Sequence, residues 1–162
     1  QFSYTTVSFK KVATGVVPLH EDGTVTLVGQ HRFPLDIYSW ELPEGGAEPG
    51  EPPLEAIKRE LAEEAGLKAA AWREILTMHL SNSITDERAY VYLATGLSPA
   101  SGEADDTEEL AVQRLPFKDA LAMAADGRIT DAISVAGLLR VHYLAIRGEL
   151  PGGLNDLIAA KG

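Results

Sequence analysis

The chain has 162 residues, of which 45% are hydrophobic and 23% charged, as expected for one soluble globular domain. It has no cysteine, which excludes disulfides and thiolate metal sites, and its formal net charge of −10 argues against nucleic-acid binding, which needs a basic surface. No apolar run is long enough to span a membrane, and the first residues lack the pattern of a signal peptide. We therefore expect a cytoplasmic protein that has neither a nucleic-acid nor a membrane partner.

The first third of the chain is typical of β-structure. Runs rich in β-branched and apolar residues at 11–19 and 24–30 flank Asp22-Gly23, which predicts a β-hairpin. A short strand is predicted at 39–42, ending at Pro43. A loop rich in glycine and proline, residues 44–50, then leads into a helix.

That helix is the clearest predicted element. Pro52 and Pro53 suit a first helical turn, where a missing N–H costs little. Apolar residues recur at helical spacing over 54–65, and Gly66 followed by Leu67 is typical of a left-handed helix stop.

The second half of the chain is predicted to alternate between strands and helices. Strand-like runs lie at 72–80, 89–94 and 110–115, a short helix at 117–126 and a longer one at 131–147. The predicted inner face of the longer helix consists of Ala132, Val135, Leu138, Leu139 and Tyr143. Together the elements predict one domain over residues 1–162, an α/β or α+β sandwich with a mixed sheet, in which 148–162 form a tail or a loose terminal turn.

The first predicted helix carries several acidic residues near its C-terminal end, where negative charge destabilises a helix. Glu60, Glu63 and Glu64 lie where the helix dipole disfavours negative charge, and the i, i+4 pair Glu60–Glu64 costs roughly 0.2–0.5 kcal/mol. One interpretation is a solvated acidic face, tied together by Glu55–Arg59 and Arg59–Glu63 pairs. The other is a site for a hard cation such as Mg²⁺, because carboxylates one turn apart supply the oxygen ligands that it prefers. The helix by itself leaves both interpretations open.

The spacing of residues 45 to 67 matches the signature of a known family. After Gly45, five residues precede Glu51, and seven more precede the run Arg59-Glu60-Leu61-Ala62-Glu63-Glu64-Ala65-Gly66-Leu67. This matches every fixed position of the Nudix box, so the chain resembles the Nudix hydrolase family. The runs 30–35, 40–46 and 126–134 are similar to its ADP-ribose and nucleoside-diphosphate-sugar branch.

The resemblance implies a fold and an activity. It implies an α/β/α sandwich with the box as a loop–helix–loop, and Mg²⁺-dependent (or Mn²⁺-dependent) cleavage of ADP-ribose or a related nucleoside diphosphate sugar. Expected products are a nucleoside monophosphate and a sugar phosphate. Residues 79–88 lack the proline of the Ser-Pro-Gly turn found in many ADP-ribose enzymes. GDP-mannose-type sugars, nucleoside triphosphates and a non-catalytic nucleotide-binding role therefore remain as alternatives.

Carried over by position, the resemblance assigns metal-binding roles in the box. It implies that Glu60 and Glu64 are the main metal ligands, assisted by Glu63 and by the backbone carbonyl of Glu44. Arg59 is expected to orient these glutamates through ion pairs. Gly66 is expected to be structural.

The remaining assignments concern the base and the substrate. The resemblance implies a general base on a loop after the box, for which Glu108 is the first choice, followed by Glu109 and Glu103. Arg32 and Glu41 match positions that contact the nucleotide. Gly45 and Gly46 are expected to let the diphosphate approach the backbone.

Finally, the resemblance implies a homodimer formed through N-terminal strands. Residues 1–10 offer such a strand in the segment from Phe2 to Phe9, where Tyr4, Val7 and Phe9 lie between polar residues.

Overall fold

The computed structural model describes residues 3–100 and 110–159, and within these the chain forms seven strands and four helices. The strands are β1 Ala13–Pro18, β2 Thr24–Arg32, β3 Ile37–Glu41, β4 Glu44–Gly46, β5 Leu67–His79, β6 Arg88–Pro99 and β7 Ala111–Pro116. The helices are α1 Pro53–Ala65, α2 Phe117–Ala125, α3 Ala132–Ile146 and α4 Leu154–Ala159. In these residues no helix combines the length and the apolar character needed to cross a bilayer.

The strands form two sheets. A mixed sheet has the order β4-β1-β6-β5, in which β1 and β6 are parallel and the other neighbours antiparallel. An antiparallel sheet has the order β3-β2-β7.

Helices cover both faces of the mixed sheet. Alternate side chains of its central strands point to opposite sides, and apolar side chains on each side pack against a helix. Val16 of β1 packs with Ile57 and Leu61 of α1. Its neighbour Val17 joins the larger core that includes Leu138 of α3. The mixed sheet lies between two helical layers, so the predicted sandwich is confirmed.

The predicted hairpin at Asp22-Gly23 is wrong, although the turn itself is present. Gly23 has φ +79° and donates its N–H to the His20 carbonyl at 3.0 Å, which reverses the chain. The flanking strands then enter different sheets and share only the bridge Leu19–Val25. A turn signal predicts that the chain reverses direction, but it does not predict that the two flanking strands pair. Here β1 pairs with β6 and β2 pairs with β7.

The predicted inner face of the second long helix is largely wrong. Only Leu138 of the five predicted residues is fully buried, and Leu139 and Tyr143 are about half exposed. The buried residues of α3 are Ile133, Ser134, Gly137, Leu138, Val141, Leu144 and Ala145. The helix is apolar around most of its circumference, so hydrophobic periodicity does not single out one face.

The two ends of the chain also differ from prediction. Residues 154–159 form α4, and Leu150, Leu154 and Ile158 are buried in the main core, so this part is not a loose tail. The described part of the predicted N-terminal strand makes one isolated bridge, between Val7 and Thr85. It is not a strand of either sheet.

Candidate active site

Helix α1 places its glutamates beside β4. Ile57 and Leu61 are buried against the sheet, so the helix has a fixed rotation. At its C-terminal end Gly66 has φ +63°, and its N–H bonds to the carbonyls of Ala62 and Leu61. The left-handed stop predicted for Gly66 is present, and it ends the helix one residue after the acidic cluster.

Gly45 lies directly against the carboxyl group of Glu60. A Cβ atom built on Gly45 would lie 2.2 Å from Cδ and 2.4 Å from Oε1 of Glu60. The hydroxyl of Thr14 donates to the Gly45 carbonyl at 3.0 Å and holds this strand in place. Only glycine therefore leaves room for the carboxyl group of Glu60.

Glu64 contacts the same short strand. Its Oε2 accepts the backbone N–H of Glu44 at 3.0 Å. The carboxylates of Glu60 and Glu64 are thus brought to the backbone of residues 44 and 45, the segment whose carbonyl was expected to join them.

Arg59 connects the acidic residues of the helix. Its Nη1 donates to Glu60 Oε1 at 2.8 Å and to Glu63 Oε2 at 2.9 Å. Longer contacts of 3.4 Å reach Glu51 and the Gly46 carbonyl. The hydrogen bond to Glu51 and the charge of Glu60 raise the pKa of Arg59, so the guanidinium remains charged and fixes the direction of these carboxylates.

Arg32 is held by two buried glutamates. Its Nε donates to both carboxylate oxygens of Glu41 at 3.0 Å, and its Nη2 donates to Glu44 Oε1 at 2.8 Å and also to Glu41. The side chain of Glu41 is 3% exposed. The described side-chain contacts of Arg32 are therefore with carboxylates.

Glu44 has excess negative charge around it. Burial raises the pKa of its carboxyl group well above the ordinary value, and the charges of Asp131 and Glu41 raise it further, against the opposing effect of Arg32. Its Oε2 is buried and, within residues 3–100 and 110–159, has no hydrogen-bond partner. The folded chain therefore disfavours the ionised form of this carboxyl group relative to the unfolded chain.

Two cavities meet at Arg32 and Glu44. One, of about 220 Å³, is lined by Lys11, Gly45, Gly46 and Glu87 among others. The other, of about 300 Å³, lies on the side of Ser39, Glu41 and Asp131. The predicted substrate residues Arg32, Glu41, Gly45 and Gly46 thus share one region with the box.

Sequence patterns left out three residues of this region: Lys11, Glu87 and Asp131. No motif marks Lys11 or Glu87, and Asp131 lies in the run 126–134 without a predicted role in the site. Only the fold brings these residues beside the box. The three candidates for the general base lie outside the described residues: Glu108, Glu109 and Glu103.

The donor set suits a hard divalent cation. Glu60, Glu63 and Glu64 offer carboxylate oxygens, and the space at Gly45 is kept open for one of them. Within the described part of the chain, no three acidic or histidine side chains are already grouped to hold a metal ion. Arg59 donates to one carboxylate oxygen of Glu60 and to one of Glu63.

Comparison with known proteins gave matches in both sequence and structure. Residues 9–135 match the model of the NUDIX domain. The ADP-ribose pyrophosphatase of Mycobacterium tuberculosis is 34% identical over 146 residues, covering 88% of this chain and 70% of that protein. The GDP-mannose pyrophosphatase of Yersinia pestis is 32% identical, covering 81% and 71% respectively. A crystal structure of an ADP compounds hydrolase superposes with a TM-score of 0.76 at 26% identity, over 88% of this chain and 77% of that chain. The chain belongs to the Nudix hydrolase family, whose members generally depend on a divalent metal ion.

Proposed function

We propose that this hydrolase uses Mg²⁺ to cleave the diphosphate of ADP-ribose or a related nucleoside diphosphate sugar into a nucleoside monophosphate and a sugar phosphate. The observation that carries the proposal is the packing of Glu60 against Gly45, with Glu64 bonded to the adjacent backbone N–H. This places the acidic end of α1 beside a loop that a diphosphate can approach closely. Mn²⁺ is a possible substitute in this site because it also prefers oxygen ligands.

The box residues have distinct roles in this proposal. Glu60 and Glu64 are the main ligands of the divalent ion, with Glu63 and the Glu44 carbonyl assisting. Held there, a divalent ion would neutralise phosphate charge and lower the pKa of a bound water. Arg59 orients Glu60 and Glu63 through its contacts of 2.8 and 2.9 Å.

The proton of the attacking water needs a base, and we assign this role to Glu108. It belongs to the acidic segment between β6 and β7, outside the described residues. The change Glu108→Gln should lower kcat by a few tenfold steps, as expected for loss of general-base catalysis, with little effect on nucleotide binding. An unaltered rate would move the role to Glu109 or Glu103.

Arg32 and Glu41 are the proposed nucleotide contacts. Because Glu41 binds Nε of Arg32 with both oxygens, it fixes the plane of the guanidinium group. An arginine held in this way can still direct its remaining N–H groups to a phosphate or a base edge. The relative in Mycobacterium tuberculosis and the ADP compounds hydrolase favour an ADP-linked substrate, and the relative in Yersinia pestis favours GDP-mannose as the second candidate.

A substrate panel tests the proposal. The purified chain is assayed with Mg²⁺ and with Mn²⁺ on ADP-ribose, ADP-glucose, GDP-mannose, UDP-glucose, dinucleoside polyphosphates and nucleoside triphosphates. We expect a sugar-linked diphosphate to give the highest kcat/KM. A preference for triphosphates would reject the sugar-diphosphate proposal, and turnover of none would favour a binding module.

We also propose a homodimer, because apolar side chains are exposed in two regions. Tyr4, Val7 and Phe9 are at least 49% exposed at the N-terminus, and Phe33 and Leu35 are 88% and 68% exposed between β2 and β3. Apolar patches of this kind are typical of protein interfaces. Light scattering at micromolar concentration that gave the mass of a monomer would reject this proposal.

A further inference from the structure

Lys11 lines the cavity beside the box. The cavity of about 220 Å³ is lined by Lys11 and Arg32 as its two basic residues, together with the acidic Glu44 and Glu87. Arg32 already donates to Glu41 and Glu44, and Arg59 donates to Glu51, Glu60 and Glu63. Among the described residues of the cavity, Lys11 is the basic residue whose ion pair is with an exposed carboxylate rather than a buried one.

The backbone on each side of Lys11 fixes its position. Phe9 donates its N–H to Asp86 Oδ1 at 3.1 Å, and the Val12 carbonyl accepts the Ala47 N–H at 3.0 Å. The aliphatic part of the side chain runs over Gly46, where a built Cβ would lie 3.3 Å from Lys11 Cδ. The ammonium group is therefore held close to the glycine loop that the diphosphate must approach.

The ion pair between Lys11 and Glu48 is weak. Its ammonium group pairs with Glu48, and the two side chains are 51% and 60% exposed. Exposed ion pairs of this kind contribute only about 0–1 kcal/mol, so the ammonium group can exchange Glu48 for a more highly charged anion.

We infer that Lys11 is a substrate-binding residue that takes a phosphate oxygen of the sugar-linked nucleoside diphosphate. This rests on the proposed function and deepens it, because the other basic residue of the described cavity, Arg32, is already paired with Glu41 and Glu44, whereas Lys11 is paired with an exposed glutamate. Lys11 binds the ground state and the transition state alike, so its loss raises KM and leaves kcat almost unchanged.

The test compares Lys11→Met with Lys58→Met. The Lys11 substitution keeps an apolar stem over Gly46 and removes the ammonium group. The control has the same effect on net charge, because Lys58 also forms an exposed pair, with Glu55 at 2.8 Å, but lies outside the cavity. We expect Lys11→Met to raise KM about tenfold, as for loss of one charged hydrogen bond, and Lys58→Met to change KM less than about twofold. A third variant, Glu48→Gln, frees Lys11 and should leave KM equal or lower.

Calorimetric titration keeps this inference separate from the proposed function. We expect Lys11→Met to weaken binding of ADP about tenfold and binding of adenosine less than about twofold, since only ADP carries the diphosphate. An equal loss for ADP and adenosine, or no loss for ADP, would overturn the role of Lys11 whatever the wild-type chain hydrolyses. Failure of the wild-type chain to hydrolyse any sugar-linked diphosphate would reject the proposed function, and the ADP titration would still decide the role of Lys11.

Discussion

At the scale of single residues, Gly45 gives the sharpest structural constraint in the site. The change Gly45→Ala would place a methyl group 2.2 Å from Cδ of Glu60, so the carboxyl group must move. We expect kcat/KM to fall about tenfold to a hundredfold, the range seen when a metal ligand loses its orientation. Steady-state kinetics with Mg²⁺ measures this fall in kcat/KM.

Gly153→Ala is the matched control for this change. A Cβ at Gly153 meets nothing within 4 Å, and its φ is not in the left-handed region. Equal losses in the two variants would show that the Gly45 effect is not local to Glu60.

Glu44 predicts a pH dependence of stability. Its pKa is raised in the folded chain, first by burial, so folding penalises the ionised carboxyl group. Stability is unaffected by this group below the unfolded pKa, and it decreases as the pH rises through the folded pKa. In metal-free buffer, Glu44→Gln should therefore raise the free energy of unfolding at pH 7 to 8 and change it little near pH 4.

Urea unfolding of both chains across this pH range measures the difference. A glutamine variant that is less stable than wild type at pH 8 would mean that the pair with Arg32 outweighs the desolvation of Glu44.

At the scale of elements, α4 is predicted to stabilise the whole chain. Leu154 is 6% exposed and joins the main core, whereas Leu157 of the same helix is 52% exposed. Leu154→Ala should lower the free energy of unfolding by about 2–4 kcal/mol, and Leu157→Ala by less than about 0.5 kcal/mol. Urea unfolding monitored by circular dichroism distinguishes them, and similar values for both would mean that α4 does not pack in solution.

Local signals predicted some elements well and others poorly. Helix α1 was predictable because Pro52, Pro53 and Gly66 mark its ends and its apolar stripe is narrow. Helix α4 was not, because its six residues follow Pro151-Gly152-Gly153, which is typical of a loop, and its stability depends on distant core contacts. Strand β4 was missed for a related reason: three residues, two of them glycine, become a strand only by pairing with β1.

At the scale of the whole molecule, the chain order of the strands does not reveal the two sheets. Strand β1 pairs with β6 across more than 70 residues, and β2 pairs with β7 across a similar separation. Such pairings depend on which faces can be buried together, and the sequence carries no short signal for them. The box is different, because its spacing lies within one loop and one helix.

The candidate site shows the same division. Glu60, Glu63, Glu64, Arg59 and Gly45 were singled out because their spacing matches the Nudix box. Lys11, Glu87 and Asp131 come from other parts of the chain, and only the fold brings them to Arg32 and Glu44. Sequence patterns thus predict the chemistry of the box better than the residues that select the substrate.

The most direct test of the central claim is a product analysis of ADP-ribose incubated with Mg²⁺ and either the wild-type chain or Glu64→Gln. We predict AMP and a ribose phosphate in equal amounts from wild type, and a rate at least about a hundredfold lower from the variant, which retains the wild-type unfolding transition. ADP with free ribose as products, or near-normal turnover by Glu64→Gln, would contradict the account.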